Sequence, residues 1–300
     1  MQVSFGQKLA WRLEAFAYDV VSFVLNLFPF SWISATGGWI VRKIGPLTSK
    51  QKIAKTGLQI AFPDMPEAEL NKLLQDQWDN IGRTFAEFPL LHRVKAFKGS
   101  RVTVEGLDIF KANAPAIIVT GHFANWEVMA TVLTQSGLPV RITYRKINNP
   151  HIDRRVREKR EAYGTKFLVQ KSTHKGGREL FEALNNGESI AILNDQKFNT
   201  GLPIPFFGTE AMTAQGATRL ALKTGRPLLP MAITRNGSDF TVTFYSPLEL
   251  TKTGDKDNDV KNGVTNVTQF IEDRIREKPA QWFWVHRRWP KKLYWRDKDA

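Results

Sequence analysis

The sequence predicts an α/β fold, with a mixed, largely parallel sheet flanked by helices and an N-terminal hydrophobic membrane-anchor helix. Three observations carry that prediction. Short apolar runs of strand length alternate with longer stretches of helical periodicity, as strands and covering helices do around a parallel sheet. Asn236-Gly237 separates the last two of those runs, a hairpin signal that makes one edge antiparallel. Apolar and aromatic residues crowd the region from Ala15 to Ile40, with Lys8 and Arg12 before them and Arg42 and Lys43 after them.

Taken in order, the run from Ala15 to Phe28 is apolar but broken by Asp19 and Asn26 and closed by Pro29. A clean spanning helix needs about 20 apolar residues. This segment therefore either spans imperfectly or lies in the interface, with Trp and Tyr at headgroup depth. No small-residue cleavage site follows it, unlike a removable signal peptide. Residues 1–45 are read as a membrane-anchoring segment and 46–300 as the globular domain. Residues 51–63 form a short basic helix, and Met65-Pro66-Glu67 opens another that runs to about Phe88. The apolar positions of that second helix recur at three and four residues, which is packing. Strands are expected at 101–105, 116–120, 139–144, 166–169, 189–194, 227–234 and 239–246. Helices are expected at 124–136, 150–163, 176–186, 213–224 and 259–277.

The composition, 42% hydrophobic and 24% charged, is that of an ordinary globular chain. The absence of cysteine excludes a disulfide framework and thiolate chemistry. The net charge of +14 points to anionic partners: a phosphorylated substrate, an anionic membrane, an acidic protein or nucleic acid. The charge is uneven. Between Arg141 and Arg178 twelve Lys/Arg face three acidic residues, and the tail from Arg287 to Lys298 holds six Lys/Arg and one Asp. No zinc-finger, RNP or helix-turn-helix signature accompanies it, so nucleic acid is not the expected partner.

The most informative stretch is Thr120-Gly121-His122-Phe123-Ala124-Asn125-Trp126-Glu127. It joins the apolar run 116–119 to a helix, and such strand-to-helix junctions are where α/β proteins expose reactive groups. On a continuous helix His122 and Glu127 would lie about 140° apart. They meet only if His122 sits in the turn and Glu127 in the first helical turn. Glu127 would then hold one imidazole nitrogen and leave the other free to take a proton from a hydroxyl. No second histidine lies nearby to build a zinc site.

These residues, with others in the same order, carry a resemblance. The chain resembles the lauroyl/myristoyl acyltransferases of lipid A biosynthesis along nearly its whole length. The matching blocks are Gly121-His122-Phe123 through Trp126-Glu127, Tyr144-Arg145 with Asn149-Pro150, Arg160, Asn194-Asp195-Gln196, Pro205-Phe206-Phe207-Gly208, Leu229-Pro230, and Pro279-Ala280-Gln281-Trp282-Phe283-Trp284-Val285-His286-Arg287-Arg288-Trp289. The resemblance implies an acyltransferase domain over 46–300, held to the cytoplasmic face of the bacterial inner membrane. It implies an acyl carrier protein as thioester donor and a lipid A precursor as acceptor, with no metal or cofactor. On that reading His122 is the general base and Glu127 its orienting acid. Arg145 and Arg160 are candidates for oxyanion or phosphate contact. Asp195 and Asn125 are placed at the substrate edge. Phe123, Trp126, Phe206 and Phe207 could line an acyl groove. His286 is read as packing or interfacial anchoring. The basic 141–178 stretch would steer the acidic carrier protein. Two alternatives stand beside this: the same chemistry on another glycolipid or glycerophospholipid, and a basic binding protein in which His122 is incidental.

Overall fold

The computed structural model describes residues 4–99, 101–144, 146–162, 166–169 and 174–295. Four helices come first: α1 (Phe5–Leu25), α2 (Phe30–Ile44), α3 (Lys50–Ala61) and α4 (Glu67–Glu87). Strands and helices then alternate: β1 (Val102–Glu105), α5 (Leu107–Asn113), β2 (Ile117–Thr120), α6 (Trp126–Gln135), β3 (Val140–Tyr144), α7 (Pro150–Glu161), β4 (Lys166–Val169), α8 (His174–Asn185) and β5 (Ser189–Leu193). The chain ends through β6 (Lys197–Phe206), β7 (Thr209–Thr213), α9 (Gly216–Thr224), β8 (Leu228–Asn236), β9 (Asp239–Phe244) and α10 (Lys256–Glu277).

Seven strands form one sheet in the order β1-β9-β8-β2-β5-β3-β4, with β8 and β9 antiparallel and the other neighbours parallel. The α/β prediction with a largely parallel sheet therefore holds. The antiparallel hairpin, expected at an edge, lies one strand inside it, because β1 adds in parallel to β9. Central strand β2 is buried at every position, as a strand covered on both faces must be.

The β6–β7 hairpin was not foreseen. Its first strand carries Gly201, Pro203 and Pro205, residues that argue against a central strand. They are tolerated because the pair forms a separate two-stranded ribbon. Its turn places Phe207 and Gly208 both at positive φ (51° and 70°), the backbone that a tight hairpin turn requires.

The N-terminal apolar run becomes two helices, and no helix among the described residues is long and apolar enough to cross a membrane. The break at Asn26–Pro29 is the one the sequence marks. Phe16, Val21 and Phe23 on α1 and Trp32, Trp39 and Ile40 on α2 are nevertheless exposed. Asp19, which interrupts the apolar run, pairs through both carboxylate oxygens with Arg155 of α7 at 2.5 and 2.6 Å. Glu14 accepts from Asn149 Nδ2 at 2.8 Å. Helix α2 packs on α4 almost backbone to backbone. A Cβ added at Gly82 would lie 2.2 Å from the Gly37 carbonyl oxygen, and one at Gly37 2.4 Å from Ala86 Cβ.

That close approach predicts that Gly82→Ala destabilises the fold by about 1–3 kcal/mol, since the helices must part to admit the methyl group. Urea unfolding measures it, and an unchanged midpoint would refute the close crossing.

Candidate active site

Strands β2 and β5 are parallel neighbours, with Thr120 opposite Leu193. Continuing that register past the strand ends brings His122 opposite Asp195. The side chains do meet there. His122 Nδ1 lies 2.7 Å from Asp195 Oδ1, and the His122 backbone N–H donates to Asp195 Oδ2 at 2.8 Å. Trp282 Nε1 donates to the same Oδ2, also at 2.8 Å. Asp195 is 2% exposed. Burial on its own would raise its pKa. The opposing charge of the imidazolium and the hydrogen bonds from His122 and Trp282 outweigh burial and carry it down to about 2. An ionised carboxylate on Nδ1 selects the tautomer with the proton on Nδ1 and leaves the Nε2 lone pair available. The Gln196 side-chain amide lies 3.5 Å from Nε2.

This corrects the pairing expected from the sequence. The partner of the imidazole is Asp195, 73 residues downstream of it, and not Glu127. The reason is strand order. The carboxylate nearest in space comes from the adjacent strand end, whereas Glu127 points from the first turn of α6 toward α7. There it pairs with Arg160, whose Nε donates to Glu127 Oε2 at 3.0 Å and whose Nη2 bonds the other oxygen. The Arg160 guanidinium also lies 5.8 Å from the Phe88 ring centroid and 6.0 Å from that of Tyr144. Asp195 thus stands against the His122 imidazole and not at a substrate edge.

His122, Trp126, Glu127 and Arg160 line one cavity of about 200 Å³. It lies between α6 and the sheet, and much of its lining is apolar, with Met129, Leu133, Ile142 and Ala191 among the lining residues. Trp126, one of the four aromatics expected at an acyl groove, packs edge-on against the His122 ring, 5.0 Å between centroids. Phe123, Phe206 and Phe207 do not line this cavity. Phe207 is buried against Phe62 and Phe206 and under the Arg276 guanidinium, because the hairpin turn folds it inward. Asn125 is also not a substrate contact. It is fully buried, its Oδ1 caps α6 at the Glu127 N–H, and its Nδ2 donates to Glu87. Arg145 lies outside the described residues. Among the described residues no cluster of three or more His, Asp or Glu could hold a metal ion.

His286 is largely buried, and its Nε2 accepts the Lys197 backbone N–H at 3.0 Å. Burial, reinforced by His122 and the neighbouring arginines and opposed by Asp195, lowers its pKa to about 4, so it is neutral at pH 7. The packing reading of His286 fits that. Trp282 is the functional residue that sequence reasoning missed. Its only signal was membership of the C-terminal aromatic block.

A strand-end histidine on a buried aspartate, opening onto an apolar cavity with an arginine–carboxylate pair, suits proton abstraction from a hydroxyl beside an acyl chain. The family model for bacterial lipid A biosynthesis acyltransferases matches residues 6–291. The chain belongs to that family. It is 26% identical over 266 residues to a lipid A biosynthesis acyltransferase of Haemophilus influenzae, covering 84% of this chain and 81% of that one. It is 26% identical over 258 residues to the lipid A biosynthesis palmitoleoyltransferase of Escherichia coli, covering 81% and 79%. A phosphatidylinositol mannoside acyltransferase of Mycobacterium tuberculosis is 23% identical over 264 residues, covering 84% and 79%. The protein is therefore an acyltransferase of the lipid A and glycolipid type.

Two acid-side transitions follow from the pKa shifts. Both groups have folded pKa values below their ordinary ones, so the unfolded chain binds more protons and stability rises with pH in each window. The His286 contribution, up to about 3 kcal/mol, is complete above pH 6.5 and lost as pH falls through about 4. That of Asp195, about 2 kcal/mol, is complete above 3.8 and lost as pH falls through about 2. His286→Gln should flatten the urea-unfolding free energy between pH 6.5 and 4. An unaltered slope would mean His286 is not buried neutral.

Proposed function

We propose that the protein transfers a fatty acyl chain from an acyl carrier protein thioester to a hydroxyl of a lipid A precursor, as a secondary acylation, at the cytoplasmic face of the bacterial inner membrane. The observation that carries this reading is the His122–Asp195 pair opening onto the apolar cavity beside Arg160. His122 Nε2 takes the proton of the acceptor hydroxyl as its oxygen attacks the thioester carbonyl carbon. Asp195 stabilises the imidazolium that forms. The carbonyl becomes a tetrahedral oxyanion, for which Arg160 supplies a guanidinium among the described residues lining the cavity. When the intermediate collapses, the C–S bond breaks and the imidazolium returns its proton to the leaving thiolate. The apolar walls hold the acyl chain. Glu127 serves by aiming Arg160.

On α7 the exposed Arg154 and the half-buried Arg157 offer an electrostatic docking face for an acidic carrier protein and for lipid phosphates. The exposed apolar side chains of α1 and α2 suit burial in the headgroup region as interfacial helices. The mannoside acyltransferase relative supports a second reading of the acceptor alone, a different glycolipid with the same chemistry.

The deciding experiment supplies purified protein in detergent with acyl carrier protein donors and a tetra-acylated lipid A precursor, read by mass spectrometry. The expected result is the gain of one acyl chain, lost in His122→Ala. Asp195→Asn should lose roughly a hundredfold or more in kcat with little change in KM. Transfer to another glycolipid but not to the precursor selects the second reading, and full activity in Asp195→Asn removes the orienting role. In a separate flotation assay, Trp32→Ser with Trp39→Ser should weaken binding to anionic vesicles; undiminished binding would remove α2 from the membrane face.

A further inference from the structure

A second buried carboxylate lies behind the site, outside the cavity. Glu87, at the end of α4, is 0% exposed and accepts four hydrogen bonds from three residues. Ser34 Oγ of α2 donates to Oε1 at 2.6 Å, and Asn125 Nδ2 donates to Oε2 at 2.7 Å. Arg235, at the end of β8, bonds both oxygens, with Nη2 to Oε2 at 2.9 Å. Arg235 Nη2 also donates to Thr84 Oγ1 at 3.1 Å, and Thr84 Oγ1 donates in turn to the carbonyl of Ala124 at 2.9 Å. Gln281 closes the ring. Its backbone oxygen accepts the Ala124 N–H at 2.7 Å, and its side-chain amide bonds the backbone N–H and C=O of Arg235 at 2.8 and 2.9 Å.

In the loop between His122 and Glu127 this network grips two consecutive residues, Ala124 and Asn125. Ala124 has φ +41°, a left-handed conformation that costs an L-residue about 1–2 kcal/mol and persists only when its surroundings hold it. Both polar groups of Ala124 are held. Asn125 is held at its amide, and it caps the helix that presents Glu127. A loop free to relax at Ala124 would re-aim the His122 ring against Asp195 on one side and the Glu127–Arg160 pair on the other.

We propose that Glu87 and Arg235 are positioning residues for acyl transfer: the buried ion pair clamps Ala124 and Asn125 and so sets the relative placement of His122 and the Glu127–Arg160 pair. The proposal rests on the reading of His122 as the base. It concerns rate and not binding, because neither residue reaches the cavity. A misplacement of about 1 Å in a catalytic group can cost on the order of a hundredfold.

The test uses the full-length protein and three variants: Glu87→Gln, Arg235→Met, and the double Glu87→Met/Arg235→Met. Breaking one member of a buried pair destabilises strongly, whereas replacing both with apolar residues of similar volume is often neutral. The double variant therefore separates folding from positioning. The expected result is a Tm close to that of the unaltered protein but a kcat at least tenfold lower, with KM for the donor within twofold. Recovery of full kcat along with Tm would overturn the proposal, as would an unchanged kcat in a folded Glu87→Gln. A second readout does not depend on the acceptor. The hydrogen-bonded Nδ1 proton of His122 should give a far-downfield NMR resonance that shifts or broadens in the double variant. If the unaltered protein transfers no acyl chain, the proposed reaction fails, and this resonance still decides the clamp: an unmoved signal overturns it.

Discussion

A carboxylate removed from water is tolerated only when hydrogen-bond donors replace its hydration, and Asp195 obtains three. Two come from His122, one from its main chain and one from its ring, so the same requirement that makes the buried charge tolerable holds the histidine at two points. The third comes from Trp282, which ties the C-terminal segment to the site. Much of the local architecture follows. The chain after β2 must turn sharply toward β5, and Gly121 permits this where a Cβ would meet the Phe123 ring at 2.9 Å. Phe123 and Trp282 then form an isolated antiparallel bridge that roofs the carboxylate.

The three carboxylates around this loop divide the electrostatic work by what each faces. Asp195 faces the His122 imidazole, which would take up charge in the proposed proton transfer. Glu127 sits in the first turn of α6, where the helix dipole favours an anion, and holds an arginine in the cavity. Glu87 faces an arginine and an amide in the interior and touches nothing that could react. Each is compensated by its own partner, so the site concentrates negative charge without leaving a buried carboxylate unpaired.

The N-terminal helices are joined to this machinery at two places. Helix α1 is tied to α7, the helix that carries Arg160, through Asp19–Arg155 and Glu14–Asn149. Helix α2 reaches Glu87 through Ser34 and leaves Trp32 and Trp39 exposed on its outer side. The elements with the apolar exposed faces are thus the ones that contact the supports of the loop between His122 and Glu127. This arrangement joins the elements that line the cavity to the helices that carry the exposed apolar side chains.

The strands and helices were legible in the sequence because burial imposes period. The runs at 116–120 and 189–194 are apolar throughout since β2 and β5 are covered on both faces, and α4 shows its buried stripe at three and four residues. His122 was legible because it sits where an apolar run meets a helix, and the family was legible because several such blocks recur in a fixed order. What the sequence could not supply was which strands are neighbours. Asp195 stood in view at the end of its strand, yet nothing local said that this strand lies beside β2, so the nearer carboxylate Glu127 took its place in the reading. The β6–β7 ribbon was hidden for a related reason: its prolines and glycine violate strand propensity, and only the pairing across the hairpin makes them acceptable. Side-chain direction was the last unknown. Asn125 and Phe207 stand in conspicuous blocks, but one caps a helix and the other is turned into the core by a left-handed backbone. Periodicity is a one-dimensional consequence of burial and can be read along the chain, whereas strand order and the aim of a loop side chain arise from contacts between distant segments and exist only once the chain has folded.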